Sequence, residues 1–337
     1  MYEKPLTLII PCYNAASTLP ACLQSVENQS LGMESLHVIL VDDASADEGK
    51  TLSLLRDFEK KYPDSVTVIP LESNQKQGGA RNAALSRVDT EYLQFLDADD
   101  TLSENACKEL LTLIDSEQAD VLLFGHSMEE NDFRIDIKND EARKIFLSSH
   151  AWNNNHSSKV YRMELIRDNH LRFAAGRYYE EPLFVYPIWF YAARILFARR
   201  DFYHLGKNEQ GTMASKAASR LMDHPSVQLE LLVFLKDRGF LPRFHDEIEE
   251  YFLWTCYLET MINASVSPDY FTLEDYNELC RICKTEFPEW ERNAYLKELP
   301  SAVEKILSTM NKTPSSPEEL DLLLSEVKQL SSAFQPD

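Results

Sequence analysis

The chain has 337 residues, of which 44% are hydrophobic and 26% charged, and its formal net charge is -21. This length is at or above the size at which a single hydrophobic core divides, so we expect one large domain and a smaller one. The negative charge disfavours nucleic acid and anionic membranes as partners, because phosphate binding relies on clustered Lys and Arg.

The amino terminus begins with MYEKPLTLII, which has no basic region and no long apolar segment, so we expect no signal peptide. The apolar runs of the chain are far shorter than the roughly 20 residues that span a bilayer, so we expect no integral membrane segment. The six cysteines are sparse for this length, which is typical of reduced thiols. These features together predict a cytoplasmic protein.

Five short apolar runs alternate with helical patterns from the amino terminus to about Phe124. The runs are LTLII, HVILV, VTVI, YLQFL and VLLF, and the helical patterns cover residues 18–29, 47–62, 80–86 and 103–116. Runs that are apolar throughout predict strands covered on both faces, hence a mainly parallel, Rossmann-like α/β sheet with helices on each side. In such sheets ligands bind beyond the carboxyl ends of the strands.

Three polar stretches follow predicted strands. PCYN comes after the first strand, DDAS after the second and DADD after the fourth. DADD places Asp97, Asp99 and Asp100 together, although two unit charges about 4 Å apart near a surface repel by roughly 4 kcal/mol. A helix cap explains one acid at most, and Ser103 with Glu104 predicts a cap without any aspartate. The cluster therefore indicates either a solvated turn or a cation site.

With PCYN, DDAS, QGGARNAAL and FLDADD in this order along one sheet edge, the chain resembles the family 2 glycosyltransferases of the GT-A fold. The resemblance covers residues 5 to about 215. It implies a GT-A fold and the transfer, with inversion, of a sugar from a nucleotide-diphosphate donor, UDP-sugar in particular, to a hydroxyl group. It implies as acceptor a glycan or a lipid-linked or protein-linked precursor of a cell-surface polymer.

The resemblance also assigns residues to the donor. Residues matching Pro11 and Tyr13 line the slot for the base, and the one matching Asp43 hydrogen-bonds uracil, whose imide N–H suits an acceptor-only carboxylate. Asn74 and Arg81 match positions that contact the donor. The alternatives are a turn-capping role for Asp43 and an ordinary surface loop before a helix for the other two residues.

For the acid cluster, the resemblance implies a divalent metal ion. Mg²⁺ or Mn²⁺ would neutralise the departing diphosphate, and such hard ions take carboxylate oxygens together with substrate phosphates and water. Asp99 would ligate the metal, Asp97 would contact the ribose or the sugar of the donor, and Asp100 would support them.

The family carries a Glu-Asp pair at a helix start, and its Asp is the general base; this chain has Glu180 and Glu181 there. Glu181 is therefore the implied base, with Glu180 beside it. The extra methylene moves the carboxylate by about an ångström, and misplacement on this scale costs on the order of 10²-fold in rate. The alternative is that both glutamates only interact with the helix dipole, which contributes under about 1 kcal/mol.

Long amphipathic stretches dominate from Pro225 onward and predict helices. We expect a nucleotide-sugar-binding and catalytic GT-A domain over residues 1–214 and a helical domain over residues 215–337, whose tail is a candidate surface for homo-oligomer formation. The stretch GKNEQGTMAS, residues 206–215, matches a loop that closes over the diphosphate in relatives.

Two other classes of protein fit parts of the sequence. A noncatalytic nucleotide-sugar-binding or scaffolding protein is favoured by the departure at Glu181 and by the acidic helical tail. A nucleotidyltransferase on a related sheet is disfavoured, because PCYNAAST has neither glycine nor a basic residue after the first strand. Turnover of a donor would distinguish the first alternative from a transferase.

Overall fold

The computed structural model describes residues 4–125, 131–149, 153–206 and 220–332. The strands in these stretches are β1 (Leu6–Cys12), β2 (Leu36–Asp42), β3 (Val66–Pro70), β4 (Tyr92–Phe95), β5 (Thr101–Leu102), β6 (Val121–Gly125), β7 (Phe133–Asp136), β8 (Lys159–Arg162), β9 (Arg194–Arg199) and β10 (Tyr203–His204). The helices that alternate with them are α1 (Leu19–Glu27), α2 (Lys50–Lys61), α3 (Lys76–Leu85), α4 (Ala106–Ser116), α5 (Asp140–Ser148), α6 (Met163–Asp168) and α7 (Pro182–Tyr191).

Eight of the described strands form one sheet in the order β3-β2-β1-β4-β8-β6-β9-β7. β1 pairs in parallel with β2 and with β4, and β2 pairs in parallel with β3, as the apolar runs predicted. β8 lies antiparallel between β4 and β6, so the second half of the sheet is mixed. The sequence analysis did not predict β8, because its four residues, KVYR, are too few to show a strand period.

The sheet is covered on both faces, and every residue of β1 is buried. One face packs on the apolar sides of α1, α2 and α4 and forms the main hydrophobic core. Helix α3 lies close to β1 and β2 on the sheet, and α6 lies close to β8. This layered α/β arrangement confirms the predicted fold class and brings the ends of β1, β2 and β4 to one edge.

Helix α4 begins later than the sequence pattern predicted. It starts at Ala106 and its cap position is Asn105, so the prediction that Ser103 caps this helix was wrong. The Ser103 hydroxyl instead donates to the carbonyl of Asp201 at 3.3 Å and lies 2.7 Å from Nε2 of His204. The Ser103 side chain therefore contacts residues about 100 positions later in the chain and does not cap the helix.

The last part of the chain is helical, as predicted. Its helices, within the described residues, are α8 (Asp223–Asp237), α9 (His245–Phe252), α10 (Thr260–Val266), α11 (Leu273–Glu286), α12 (Ala294–Lys297), α13 (Ser301–Ser308) and α14 (Pro317–Ser332). A π-helical segment, Leu253–Glu259, joins α9 to α10. Among the described helices, none has both the length and the apolar character needed to cross a membrane.

The chain divides into two compact units. The first consists of Met1–Arg143 and Asn153–Glu209, and the second of Lys144–Trp152 and Gln210–Asp337. The expected boundary between residues 214 and 215 lies outside the described residues. Residues 207–215 of the predicted closing loop also lie outside them, and only Gly206 of that stretch is described.

Candidate active site

The loops after β1 and β2 are hydrogen-bonded to each other. The backbone N–H of Asn14 donates to Oγ of Ser45 at 3.0 Å, and the N–H of Ala46 donates to Oδ1 of Asn14 at 2.7 Å. Pro11 is buried within β1, whereas Tyr13, two residues later, is 46% exposed. The predicted base slot therefore has a fixed backbone and one large aromatic side chain open to a ligand.

Asp43 and Asn74 lie together beside this loop. Oδ1 of Asp43 accepts a hydrogen bond from the N–H of Gln75 at 2.7 Å, and the Asp43 carbonyl accepts one from Nδ2 of Asn74 at 3.2 Å. Burial raises the pKa of Asp43 to about 6, against the opposing effect of the backbone N–H groups of Gln75 and Lys76. The structure thus brings two of the predicted donor-binding residues together and makes one of them titratable near neutral pH.

Strained backbone marks the same edge of the sheet. Asn14, Ala44, Lys76 and Tyr179 have φ angles of 51°, 54°, 64° and 59°, a region that residues other than glycine rarely adopt. Tyr179 directly precedes the glutamate pair. Such conformations cost about 1–3 kcal/mol each and concentrate at functional sites, where surrounding contacts hold them in place.

The three aspartates after β4 have three different environments. Asp97 is 25% exposed and accepts a hydrogen bond from Nη2 of Arg81 at 2.8 Å. Asp100 is buried, and its carboxylate accepts hydrogen bonds from the Tyr203 hydroxyl at 2.6 Å and from the Gly206 N–H at 2.8 Å. Asp99 is partly exposed between them. Asp99, being partly exposed, could offer a carboxylate oxygen to a metal ion.

Gly206 approaches the acid cluster so closely that only glycine fits. A Cβ atom at this position would lie 1.7 Å from the carbonyl oxygen of Asp99. The same residue donates its N–H to Asp100, so the segment after β10 is fixed against the acid cluster at this point. The predicted closing loop therefore begins beside the aspartates.

Arg81 occupies the centre of the site and has no exposed surface. Its Nη1 donates to Oε1 of Glu180 at 2.6 Å while its Nη2 binds Asp97, and its guanidinium lies 5.3 Å from the centre of the Phe173 ring. A Cβ at Gly78, one turn earlier on α3, would lie 2.5 Å from the carbonyl of Ala174. The glycine therefore lets α3 approach this segment. In this structure the guanidinium of Arg81 binds the carboxylates of Asp97 and Glu180. The predicted contact between Arg81 and the donor stays a prediction.

The two glutamates before α7 differ in environment. The side chain of Glu180 is 9% exposed and burial raises its pKa, whereas the side chain of Glu181 is 35% exposed. Burial opposes ionisation of Glu181, but the neighbouring His156 reverses this effect and lowers the pKa of Glu181 below its ordinary value. Glu181 is therefore a partly exposed carboxylate whose lowered pKa favours the ionised form, the form that can accept a proton.

His156 is a site residue that the sequence analysis missed. Its Nδ1 is hydrogen-bonded to Oε1 of Glu181, and its Nε2 lies 3.6 Å from Oδ1 of Asp97. Burial and Arg81 lower the pKa of His156, but Glu181 and Asp97 outweigh them and raise it. The surrounding stretch, NNNHSSK, has no motif spacing that distinguishes a site histidine from a loop histidine. No sequence signal could have found it.

Comparisons with known proteins show which family and which proteins this chain resembles. The profile of Glycosyl transferase family 2 matches residues 7–179, which is more than half of the chain. The poly(ribitol-phosphate) beta-N-acetylglucosaminyltransferase TarS of Staphylococcus aureus is 28% identical over 222 residues, 63% of this chain and 37% of TarS. A poly(ribitol-phosphate) beta-glucosyltransferase of Bacillus spizizenii is 25% identical over 215 residues, 60% of this chain and 32% of that protein. The matches thus span about a third of these curated relatives.

Solved structures show the same fold. The crystal structure of S. aureus TarS 1-349 in complex with UDP has a TM-score of 0.68 at 19% identity, covering 98% of this chain and 91% of that one. The mannosyltransferase PcManGT of Pyrobaculum calidifontis, in complex with GDP-Man and Mn2+, has a TM-score of 0.53 at 15% identity and covers 98% and 87%. These likenesses confirm the GT-A-like fold, and the profile match shows that the chain belongs to glycosyl transferase family 2.

Proposed function

We propose that this protein transfers a sugar from a UDP-sugar donor to a hydroxyl group of a polymer acceptor, with inversion at the anomeric carbon. The observation that carries the proposal is the placement of Glu181. Its partly exposed carboxylate is hydrogen-bonded to His156, whose other ring nitrogen lies 3.6 Å from Oδ1 of Asp97, a predicted donor-binding residue. This placement supports Glu181 as the base that would act beside the proposed donor subsite.

The donor would bind along the loops after β1, β2 and β4. Tyr13 offers an exposed aromatic face for a base, and the Asp43 carboxylate is an acceptor suited to the imide N–H of uracil. Asp97, fixed by Arg81, would contact the ribose or the sugar. UDP and UDP-GlcNAc are the ligands of the TarS crystal structures, which favours UDP-GlcNAc as the first donor to test.

A divalent ion, Mg²⁺ or Mn²⁺, fits the acid cluster. Asp99 is partly exposed, and it lies in sequence between Asp97 and Asp100, whose carboxylates add negative charge beside it. One carboxylate completed by donor phosphates and water is a usual coordination for such ions. A bound ion would supply positive charge that stabilises the departing diphosphate.

In the proposed reaction, the acceptor hydroxyl oxygen bonds to the anomeric carbon as the bond from that carbon to the diphosphate oxygen breaks. The hydroxyl proton passes to Glu181, and the nucleoside diphosphate leaves with the electron pair of the broken bond. Attack from the face opposite the diphosphate inverts the anomeric configuration. Proton transfer to a positioned base typically contributes about 10²- to 10⁴-fold to the rate.

The acceptor class comes from the relatives. TarS and the Bacillus spizizenii protein are named for transfer to poly(ribitol-phosphate), and other matched relatives are named for teichoic acid synthesis. We therefore propose a polyol-phosphate polymer, whose free hydroxyl groups would be glycosylated, as the acceptor of this chain.

Release of the nucleoside diphosphate, UDP or GDP according to the donor, in the presence of poly(ribitol phosphate) tests the proposal. The assay would compare UDP-GlcNAc, UDP-glucose and GDP-mannose, each with Mn²⁺ and with a chelator, and Glu181→Gln would serve as the matched inactive variant. We expect acceptor-dependent turnover of a UDP-sugar, lost in the variant. Donor binding without turnover of any donor would instead favour the noncatalytic binding protein, the alternative motivated by the glutamate at position 181.

A further inference from the structure

Beyond the base itself, we infer that His156 is a positioning residue whose imidazole ring holds the Glu181 carboxylate in one reactive place. The inference rests on the proposed function, in which Glu181 takes the proton of the acceptor. A glutamate side chain has one more rotatable bond than an aspartate and therefore more rotamers available to its carboxylate. A fixed partner is therefore needed if a single conformation is to be populated.

The two ring nitrogens of His156 face two carboxylates. Nδ1 is hydrogen-bonded to Oε1 of Glu181, and Nε2 lies 3.6 Å from Oδ1 of Asp97. Both nitrogens donate only when the ring is an imidazolium. Glu181 is the nearer of the two carboxylates to the ring, and Asp97 also binds Arg81 at 2.8 Å. His156 thus joins the proposed base to the aspartate that would contact the donor.

The loop that carries His156 is tightly held. Nζ of Lys159, a fully buried side chain, donates to Oδ1 of Asn153 and to the carbonyl of Asn155. The Ser157 N–H donates to Oδ1 of Asn155 at 2.7 Å, and the Tyr161 hydroxyl donates to the His156 carbonyl at 3.1 Å. A buried lysine is costly unless it is well hydrogen-bonded. Here the Lys159 contacts fix the backbone that presents the ring.

Aromatic side chains fix the ring as well. The imidazole meets Phe95 edge to face at 5.5 Å and Phe173 at 5.9 Å, measured between ring centres. The ring of Phe173 also faces the guanidinium of Arg81. Packing on these rings leaves the imidazole little freedom to rotate, so the nitrogen that binds Glu181 has a defined position.

His156→Gln is the main test, because glutamine keeps an amide donor but removes the charge and the flat ring. We expect kcat to fall by about 10- to 100-fold, the range for a misplaced reacting group, while the Kd for UDP changes by less than about twofold. The acid limb of the kcat profile should move to higher pH, because Glu181 loses its cation. The titratable groups that face Glu181 are Arg81, Asp97, Glu180, Lys159 and Tyr161. An unchanged kcat and acid limb would overturn the inference.

A double-mutant cycle separates positioning from general structural damage. Glu181→Asp shortens the side chain and withdraws its carboxylate from the imidazole, so it should reduce kcat in the natural background. In the His156→Gln background that contact is already lost, and the same change should cost at least about fivefold less. Multiplicative, independent effects of the two changes would contradict a positioning contact.

Tyr161→Phe provides a milder variant should His156→Gln fold poorly. It removes only the hydroxyl that binds the His156 carbonyl, and we expect a loss of about two- to fivefold in kcat with unchanged UDP affinity. Full activity of His156→Gln, or of Tyr161→Phe where His156→Gln does not fold, would refute the inference. Full activity in Glu181→Gln would instead refute the proposed base, so the two failures are distinguishable.

Discussion

Arg81 and Asp97 form an ion pair, 2.8 Å from Nη2 to Oδ1, in which the guanidinium has no contact with solvent. Burial disfavours the charged form of Arg81, but the carboxylates of Asp97 and Glu180 raise the pKa of Arg81. Burial likewise disfavours the charged form of Asp97, but Arg81 lowers the pKa of Asp97. The acid cluster after β4 therefore has one cation within the protein itself. Asp99, two residues after Asp97, is partly exposed.

Arg81→Met should destabilise the protein strongly, because it leaves Asp97 and Glu180 without their buried counter-charge. Removing one partner of a buried ion pair typically costs about 3–5 kcal/mol, which urea unfolding would measure. Arg134→Gln is the control, since Arg134 pairs with Glu117 on the surface and should leave the unfolding midpoint unchanged. Equal effects of the two substitutions would show that burial of Arg81 contributes nothing.

Asp99→Asn should remove the part of UDP affinity that depends on Mn²⁺ and leave the affinity measured with a chelator unchanged. The reason is that an amide oxygen carries no charge to hold the ion. Calorimetric titration with UDP, in the presence of Mn²⁺ and in the presence of a chelator, measures the two affinities. Asp57→Asn, at an exposed acid on α2, is the control and should behave as the natural protein. If Asp99→Asn keeps the full response to Mn²⁺, the metal lies elsewhere.

Gly206→Ala should displace the segment after β10 from the acid cluster. The new methyl group would lie 1.7 Å from the Asp99 carbonyl oxygen, so the hydrogen bond from residue 206 to Asp100 cannot keep its geometry. We expect metal-dependent UDP affinity to fall by about tenfold, a loss of roughly 1.4 kcal/mol. Leu205→Ala, at the exposed preceding residue, should change it little. Comparable affinities of the two variants would argue against this close approach.

Binding of uridine should strengthen as the pH rises through about 6, the value to which burial raises the pKa of Asp43. The ionised carboxylate is the better acceptor for uracil, although its ionisation in the buried site lowers folding stability over the same pH range. Uridine is preferable to UDP, because phosphate groups titrate near pH 6 themselves. Asp43→Asn should abolish the pH dependence of Kd, and an unaltered profile would remove Asp43 from the base slot.

Glu180→Gln and Glu181→Gln should have opposite signatures. Glu180 is buried against Arg81, so its substitution should lower the unfolding midpoint and reduce transfer by less than about tenfold. Glu181 is more exposed, so its substitution should lower the unfolding midpoint less than that of Glu180 and reduce kcat by about 10²- to 10⁴-fold. Thermal unfolding and initial rates, measured on the same preparations, would test both. The reverse pattern would move the base to Glu180.

The sequence alone determined the features that depend on local pattern. Apolar runs predicted β1 to β4, and parallel strands place their carboxyl ends at one edge, so the loops with Tyr13, Asp43 and Asp99 were expected to converge. The motif order predicted the family. It also placed Glu180 and Glu181 at a helix start, directly before α7. These inferences needed only the periodicity of apolar residues, the residue types in the turns and the direction of the strands.

Only the tertiary structure decided which charges meet. Arg81 is 99 residues from Glu180, and His156 is 25 residues from Glu181, so no helical or strand period links the members of either pair. Their contacts arise because α3, β4, the loop before β8 and the start of α7 pack around one buried guanidinium. Whether a carboxylate lies exposed, paired or protonated depends on that packing, since burial and neighbouring charges set its pKa.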